Sequence, residues 1–412
     1  MRRVLVVAYY FPPIGGIGSI RLARFAELLP QHGWEPNVQA PRDTPHASDP
    51  DLRFPEERVI RSNSIELSQL GRAVVGARSA NAVVTGSDGP SARAMLRTFA
   101  HRYVFFPDAQ VGWYPGAVVA GLRALRRERF DAIYSTSYPM TAHLVARTLS
   151  RRSGLPWLAE HRDPWCERLF ADHPYRRLAE RLERTVARDA TALAMPTPTW
   201  AEHYGALWHA DVAVLPNGFD VALPERREPV APTLTYVGTY LPREHDLSTL
   251  WEALARIREQ SPASMPRIRF VGRLPDALRD EIATAGLADV LDCTGFVSHD
   301  DAMRELMSAS VLIASGVPGV DARRRGWVPA KLFEYLASGL PVVYVADADT
   351  DAAEILSGHA GVHVVAPGDV SGAVAAVRAS LTDGVQQRDV AHLSREAGAS
   401  RLAELLDGMA RR

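Results

Sequence analysis

The sequence predicts an α/β protein built as two doubly wound lobes, and three observations carry that reading. The 412 residues are too many for one hydrophobic core and suit two domains of roughly 150 to 200 residues each. Short apolar runs alternate with helical periodicity in both halves, as parallel strands joined by crossover helices require. Between residues 196 and 232 prolines gather, at Pro196, Pro198, Pro216, Pro224, Pro229 and Pro232, and mark an interdomain linker. The expected division is an N-terminal Rossmann-like domain over 1–200 and a C-terminal Rossmann-like domain over 215–390, with a last helix over 394–412 packing back on the first.

In the first half a strand is expected at about 3–10, opened by Val4-Leu5-Val6-Val7. A loop, Pro12-Pro13-Ile14-Gly15-Gly16-Ile17-Gly18-Ser19, leads into a helix whose Leu22, Phe25, Ala26 and Leu29 fall at i, i+3, i+4 and i+7 and so share one face. Further strands are expected near 35–40, 131–136, 155–161 and 190–195. Residues 42–130 hold scattered arginines and an aromatic loop over 103–115, and no helix is placed there. The second half gives strands near 233–238, 267–272, 289–293, 310–314, 341–345 and 361–365. Two Rossmann-like lobes facing across a cleft result.

Composition excludes several classes. The chain is 47% hydrophobic and 23% charged, ordinary for a globular protein, and no apolar run approaches the roughly 20 residues that span a bilayer. The N-terminal Arg2-Arg3 and the valines after it imitate a signal peptide, but Tyr9, Tyr10, Pro12 and Pro13 stand where small residues precede cleavage. A net charge of -1 gives no bulk attraction to nucleic acid. Cys166 and Cys293 have neither CxxC nor Cys/His spacing, which speaks against disulfides or structural zinc and for a cytoplasmic protein. Of the 47 Lys and Arg residues, Lys331 is the one lysine.

Three segments have the composition of a site. In the loop over 12–18, Gly15 and Gly16 let backbone approach an anion at a helix start, although a tight turn explains the loop as well. Pro329-Ala330-Lys331-Leu332-Phe333-Glu334 opens a short helix, with Pro329 near its first position, Gly339 past its last and Pro341 opening the next strand. Its amides and Lys331 favour a phosphate, and Glu334 lies one turn further on, free to accept paired hydroxyls. Glu160-His161-Arg162-Asp163 ends a strand of the first lobe, where α/β lobes bind ligands. An Arg162–Asp163 pair bracing its own loop is the plainer alternative. Asp347-Ala348-Asp349 follows a late strand, so no metal site is expected there.

Taken in order, these segments resemble the GT-B glycosyltransferases, especially retaining family 4. Leu215-Pro216-Asn217-Gly218-Phe219-Asp220, Tyr236-Val237-Gly238-Thr239, Phe270-Val271-Gly272-Arg273 and Thr294-Gly295-Phe296-Val297-Ser298 carry the resemblance over nearly the whole chain. It implies retaining transfer of a sugar from a nucleoside diphosphate sugar to a hydroxyl acceptor, such as a glycan, a lipid-linked glycan or a secondary metabolite, with no metal or other cofactor. Gly15 and Gly16 would face the diphosphate and sugar. Gly238, Thr239, Arg243 and Arg273 would flank the donor, with His245 an alternative to Arg243. Phe296 and Val297 would meet the base, while Pro329, Ala330, Lys331 and Leu332 would hold the phosphates and Glu334 the ribose. His161, Asp163 and Lys331 are the catalytic candidates.

The chain departs from the family at Gly326, where a first glutamate would stand, and at Thr239, where arginine is common. A nucleotide-sugar epimerase, a pseudoglycosidic coupling enzyme and a non-catalytic GT-B binding partner are therefore the rival readings. Arg72, Arg78, Arg93 and Arg97 suggest a peripheral membrane contact; no nucleic-acid partner is expected.

Overall fold

The structure, a computed structural model, describes residues 1–42, 52–65, 106–171, 173–220, 223–242, 244–319 and 321–411. It divides into two compact units, Met1–Pro196 with Ala201–Leu215 and Gly398–Arg412, and Thr197–Trp200 with Pro216–Ala397.

The first unit is built on strands β1 (Arg2–Val7), β2 (Trp34–Pro41), β3 (Val59–Ser62), β4 (Ala132–Thr136), β5 (Trp157–Glu160), β6 (Ala192–Met195) and β7 (Val212–Val214). They form one sheet in the order β3-β2-β1-β4-β5-β6-β7, every pair parallel, with Val4 beside Pro36 on one side and Ala132 on the other. Val4 to Val7 are buried on both faces, so this central strand is a continuous apolar run and not an alternating one. Helices α1 (Ile17–Leu28), α2 (Tyr114–Arg127), α3 (Met140–Ser153), α4 (Trp165–Leu169), α5 (Arg176–Asp189) and α6 (Pro198–Trp208) connect them. Leu22, Phe25 and Ala26 of α1 join a core with Val4, Trp34 and Tyr134. Leu29 belongs to that core too, but from a 3-10 turn that continues the helix.

The second unit repeats the plan with β8 (Thr233–Val237), β9 (Arg267–Val271), β10 (Leu291–Cys293), β11 (Val311–Ser315), β12 (Val342–Val345) and β13 (Val362–Val365). The order is β10-β9-β8-β11-β12-β13, again parallel. Its helices are α7 (Ser248–Gln260), α8 (Asp276–Thr284), α9 (His299–Leu306), α10 (Ala322–Arg325), α11 (Lys331–Ser338), α12 (Asp351–Leu356) and α13 (Val370–Asp383), and α14 (Arg395–Ala410) closes the chain. Ala399, Leu402, Ala403, Leu406 and Met409 of α14 lie in the core that holds Val4. In each sheet the strand order reverses direction, between β1 and β4 and between β8 and β11. Ligands bind at the carboxyl ends of strands beside such a reversal.

The proline-rich stretch is not a plain linker. Residues 198–208 form α6 and 212–214 form β7, because Pro198 sits in the first turn of α6, where its missing N–H costs nothing. Strands β3 and β7 were not anticipated: they are sheet edges of four and three residues, too short for a periodic signal. In the aromatic loop Trp113 is buried packing, its indole Nε1 donating to Ser62 Oγ at 2.8 Å. Residues 103–105, Arg72, Arg78, Arg93, Arg97 and Arg243 lie outside the described residues. Among the described residues, no helix is long and apolar enough to cross a membrane.

A buried ion pair ties α1 to the sheet. Arg21, 3% exposed, places Nη1 2.6 Å from Glu160 Oε1, whose side chain is fully buried. Tyr134 donates its hydroxyl to the other carboxylate oxygen, and Arg21 Nη2 donates to Leu215 O at 3.1 Å. Removing one partner leaves an uncompensated charge. Arg21→Met is therefore expected to cost about 3–5 kcal/mol, read as a lower urea midpoint; an unchanged midpoint would show the pair to be dispensable.

Candidate functional site

The helix that starts at Lys331 is positioned by its own side chains. Tyr335 points its hydroxyl into the sheet, where it accepts from Val237 N–H at 3.0 Å and donates to Ile313 O at 3.4 Å. One residue thus fixes α11 across β8 and β11. Leu332, Phe333 and Leu336 fill the core beneath. The N-terminus of the helix is thereby held at the carboxyl end of β8, beside Gly238.

Lys331 follows from that placement. The residue keeps some surface, but Nζ is closed off and has no hydrogen-bond partner. It lies 3.6 Å from the centroid of the Tyr236 ring, a cation–π contact. A Cβ on Gly238 would be 3.7 Å from it. Burial pushes its pKa down to about 7, against a small opposing pull from Glu334. The amides of Leu332 and Phe333 are already bonded to Pro329 O and Ala330 O, so the Leu332 N–H is engaged and its side chain belongs to the core.

Glu334 stands one turn along, its side chain 12% exposed. Burial pushes its carboxyl up, while Arg395, His299 and Lys331 pull it down and Asp220 adds to the rise. Gly272 and Gly295, on the loops after β9 and β10, pair as an isolated antiparallel bridge. Arg273 beyond it is exposed. Phe296 is 83% exposed, whereas Val297 packs on the core under α11. Thr239 is exposed and its carbonyl accepts the Tyr236 hydroxyl at 3.0 Å. His245 is buried and neutral: its Nδ1 accepts from Leu241 N–H at 3.0 Å, and burial lowers its pKa to about 4. It lines a cavity of about 200 Å³ with Tyr240, Asp246 and Glu281.

At Gly326 there is no room for a side chain. A Cβ would lie 2.2 Å from Cδ1 of the Trp200 indole. Trp200 Nε1 donates to Arg323 O at 3.0 Å, and the Thr197 hydroxyl donates to Gly326 O at 2.9 Å. The segment Thr197–Trp200 therefore occupies the space a glutamate at 326 would take. Asp349 is engaged by Arg325, Nε to carboxylate 3.3 Å.

In the first unit the loop over 12–18 meets the end of β5. Gly15 is half-buried, and Gly16 has φ 108° as it opens α1. Gly18 is pressed by Arg162, whose Nη1 would lie 2.4 Å from an added Cβ and whose Nε donates to Ser137 O at 2.5 Å. Asp163 keeps a third of its side chain exposed and pairs with Arg168 at 3.0 Å, so the brace is with Arg168 and not with Arg162. His161 is 1% exposed, between the rings of His143 at 4.5 Å and Trp208 at 4.7 Å. Neither ring nitrogen has a partner, and burial lowers its pKa to about 3. It is a neutral ring packed between His143 and Trp208. The Cys166 thiol, pushed up to about 12 by burial, is no nucleophile.

Residues 15–218 match the family described as "Glycosyl transferase 4-like domain", and residues 231–383 match "Glycosyl transferases group 1". The chain belongs to the GT-B glycosyltransferases. The glycosyltransferase is 34% identical over 92 residues to the putative colanic acid biosynthesis glycosyltransferase WcaL of Escherichia coli (strain K12), a stretch covering 22% of each protein. Its fold is similar to that of sucrose-phosphate synthase from Thermosynechococcus elongatus, TM-score 0.60 at 15% identity over 100% of this chain and 97% of that one. It also resembles Anabaena Alr3699/HepE in complex with UDP and glucose, TM-score 0.58 at 14% identity over 100% and 98%. The glycosyltransferase WaaG, involved in lipopolysaccharide biosynthesis, gives 0.55 at 14% over 99% and 97%.

Trp200, His299 and Arg395 were not anticipated as part of these sites. Trp200 and Thr197 carry no local signal, since their partners lie more than a hundred residues away. Arg395 offered one: an arginine in the first turn of a helix opposes the helix dipole and needs a reason to be there. Gly326→Glu is expected to destabilise the second unit by about 1–3 kcal/mol through overpacking. The same change made on a Trp200→Ala background should cost less, a coupling that a double-mutant cycle of melting curves measures. Equal costs on both backgrounds would refute the steric account.

Proposed function

We propose that this glycosyltransferase moves a sugar from a nucleoside diphosphate sugar to a hydroxyl acceptor, with retention and without a metal, and that the α11 N-terminus receives the diphosphate. One observation carries the reading: the Lys331 ammonium is buried at a helix start with no protein group to bond. A buried ammonium without a partner is costly, and a diphosphate is the partner that its charge and the helix amides both favour. The resemblance to family 4, and a fold shared with a protein seen in complex with UDP and glucose, point the same way. Retention rests on the resemblance alone.

In the transfer, the bond from the anomeric carbon to the diphosphate oxygen breaks and the acceptor hydroxyl attacks from the same face. Negative charge grows on the leaving diphosphate, where Lys331, the positive end of the α11 dipole and Arg273 stabilise it; preorganised charge of this kind is the largest catalytic term available. Glu334 accepts hydroxyls of the ribose, and Phe296 with Val297 flanks the base. The first unit binds the acceptor. There Asp163 contacts a sugar or acceptor hydroxyl.

A thermal-shift screen of UDP-, GDP- and dTDP-sugars identifies the donor, and NMR of the product gives its anomeric configuration. Lys331→Ala is expected to lower kcat by about 10²-fold or more without lowering the melting temperature, because it removes a buried unpaired cation. Unchanged kinetics would sink the assignment.

The pH dependence has a definite sign. With a folded-state pKa of about 7 against 10.5 for an exposed lysine, the free enzyme loses the ammonium above neutrality, and a diphosphate must bring a proton with it. Between those two values the unfolded chain binds more protons, so stability should rise with pH. Calorimetry should show proton uptake on nucleoside diphosphate binding at pH 8 and weakening affinity above pH 7. Both effects should vanish in Lys331→Ala.

A further inference from the structure

We infer that Arg395 is a positioning residue, which holds Glu334 ionised and in place for the vicinal diol of the donor's ribose. The inference rests on the reading of α11 as the nucleoside diphosphate site. Its ground is a carboxylate that the protein steers without consuming. Among the described residues, no donor bonds either oxygen of Glu334. Arg395 Nη2 is 3.6 Å from Oε1, too far for a hydrogen bond yet close enough to favour the ionised form. Buried as it is, Glu334 would otherwise drift toward the protonated state, which offers a ligand one acceptor oxygen fewer. The other charged groups facing it are His299 and Lys331, which favour ionisation, and Asp220, which opposes it.

The position of Arg395 is fixed independently of Glu334. Its Nη1 bonds Asp220, its N–H donates to Phe219 O at 2.9 Å, and Ser394 pairs with Phe219 as an isolated parallel bridge. Gly218 admits this contact, since a Cβ there would lie 2.7 Å from Leu393 O. The side chain is 4% exposed and its buried Nε has no partner. A guanidinium kept in place at the expense of one bond serves the two carboxylates its fork reaches. Lysine has one charged atom and reaches one of them.

At the other end of α11, Arg388 has a purely structural task and supplies the control. It donates to the carbonyls of Tyr335 at 3.4 Å, Leu336 at 3.3 Å and Leu340 at 2.9 Å, closing the helix C-terminus, and contacts no group of the site.

The test is calorimetric titration of UDP and GDP, each against its 2′-deoxy counterpart. Wild type is expected to prefer the ribonucleotide by about tenfold or more, the loss of one hydrogen bond to a charged group. In Arg395→Met that preference should shrink below about threefold, while Arg388→Met weakens both ligands alike and keeps the ratio. If Arg395→Met does not fold, Arg395→Lys is read in its place and should also lose discrimination. A ratio in either variant equal to wild type overturns the role of Arg395, as does a wild type indifferent to the 2′-hydroxyl. Failure of every nucleoside diphosphate to bind wild type overturns the functional reading itself, and the two failures are distinct.

Discussion

Everything around α11 follows from placing one ammonium where the protein offers it no hydrogen bond. Nζ of Lys331 is shut away from water, and the Tyr236 ring 3.6 Å below it returns about 2 kcal/mol of cation–π attraction. That is less than desolvation of the charge costs, and the depressed pKa records the shortfall. A free energy deficit at one side chain in a marginally stable protein persists when the rest of the fold supports it and a ligand relieves it. Packing supplies the support: Leu332, Phe333, Tyr335 and Leu336, all buried, hold the helix on the sheet whether or not the lysine is content.

The helix is immobilised at three points, each with a different chemistry. Tyr335 joins it to β8 and β11 by hydrogen bonds through its hydroxyl. Arg388 closes its last carbonyls. Arg395 faces Glu334 by charge alone. Neither arginine belongs to the helix; both come from the segment after α13, which passes along it. In the transfer proposed above, such a frame would remove reorganisation from the step in which charge develops, which is where electrostatic catalysis gains most. The same frame explains why the deficit at Lys331 is not relaxed by a small shift of the helix: any shift breaks the Tyr335 contacts first.

Much of this was legible in the sequence, and what was not has a physical reason. Lys331 stood out as the one lysine, and Pro329 and Gly339 bracketed its helix, because helix ends are written in local backbone chemistry. The central strands were legible because burial on both faces makes continuous apolar runs. The edge strands β3 and β7 were not, since a few residues carry no periodicity, and α6 was hidden because a proline in a first helical turn reads like a proline in a linker. Gly326 was noticed as an absence, but its cause, the Trp200 indole 2.2 Å from a Cβ there, is a contact between distant segments, which no window along the chain contains. Arg395 showed locally only that it stood in a first helical turn; its partners Asp220 and Glu334 are 175 and 61 positions away.

In the first unit the sequence grouped Glu160, His161, Arg162 and Asp163, and the structure separates them by depth. Alternation along an extended chain sends neighbours to opposite faces, and each member then meets a different environment. Glu160 turns inward to Arg21 and Tyr134, and His161 inward to His143 and Trp208. Arg162 lies on Gly18 with its Nε tied to Ser137, and Asp163, a third exposed, pairs with Arg168. His161 is a neutral ring between rings, without a partner on either nitrogen. The sequence shows these four residues as neighbours along the chain; the depth that assigns each its surroundings comes from segments far away in sequence.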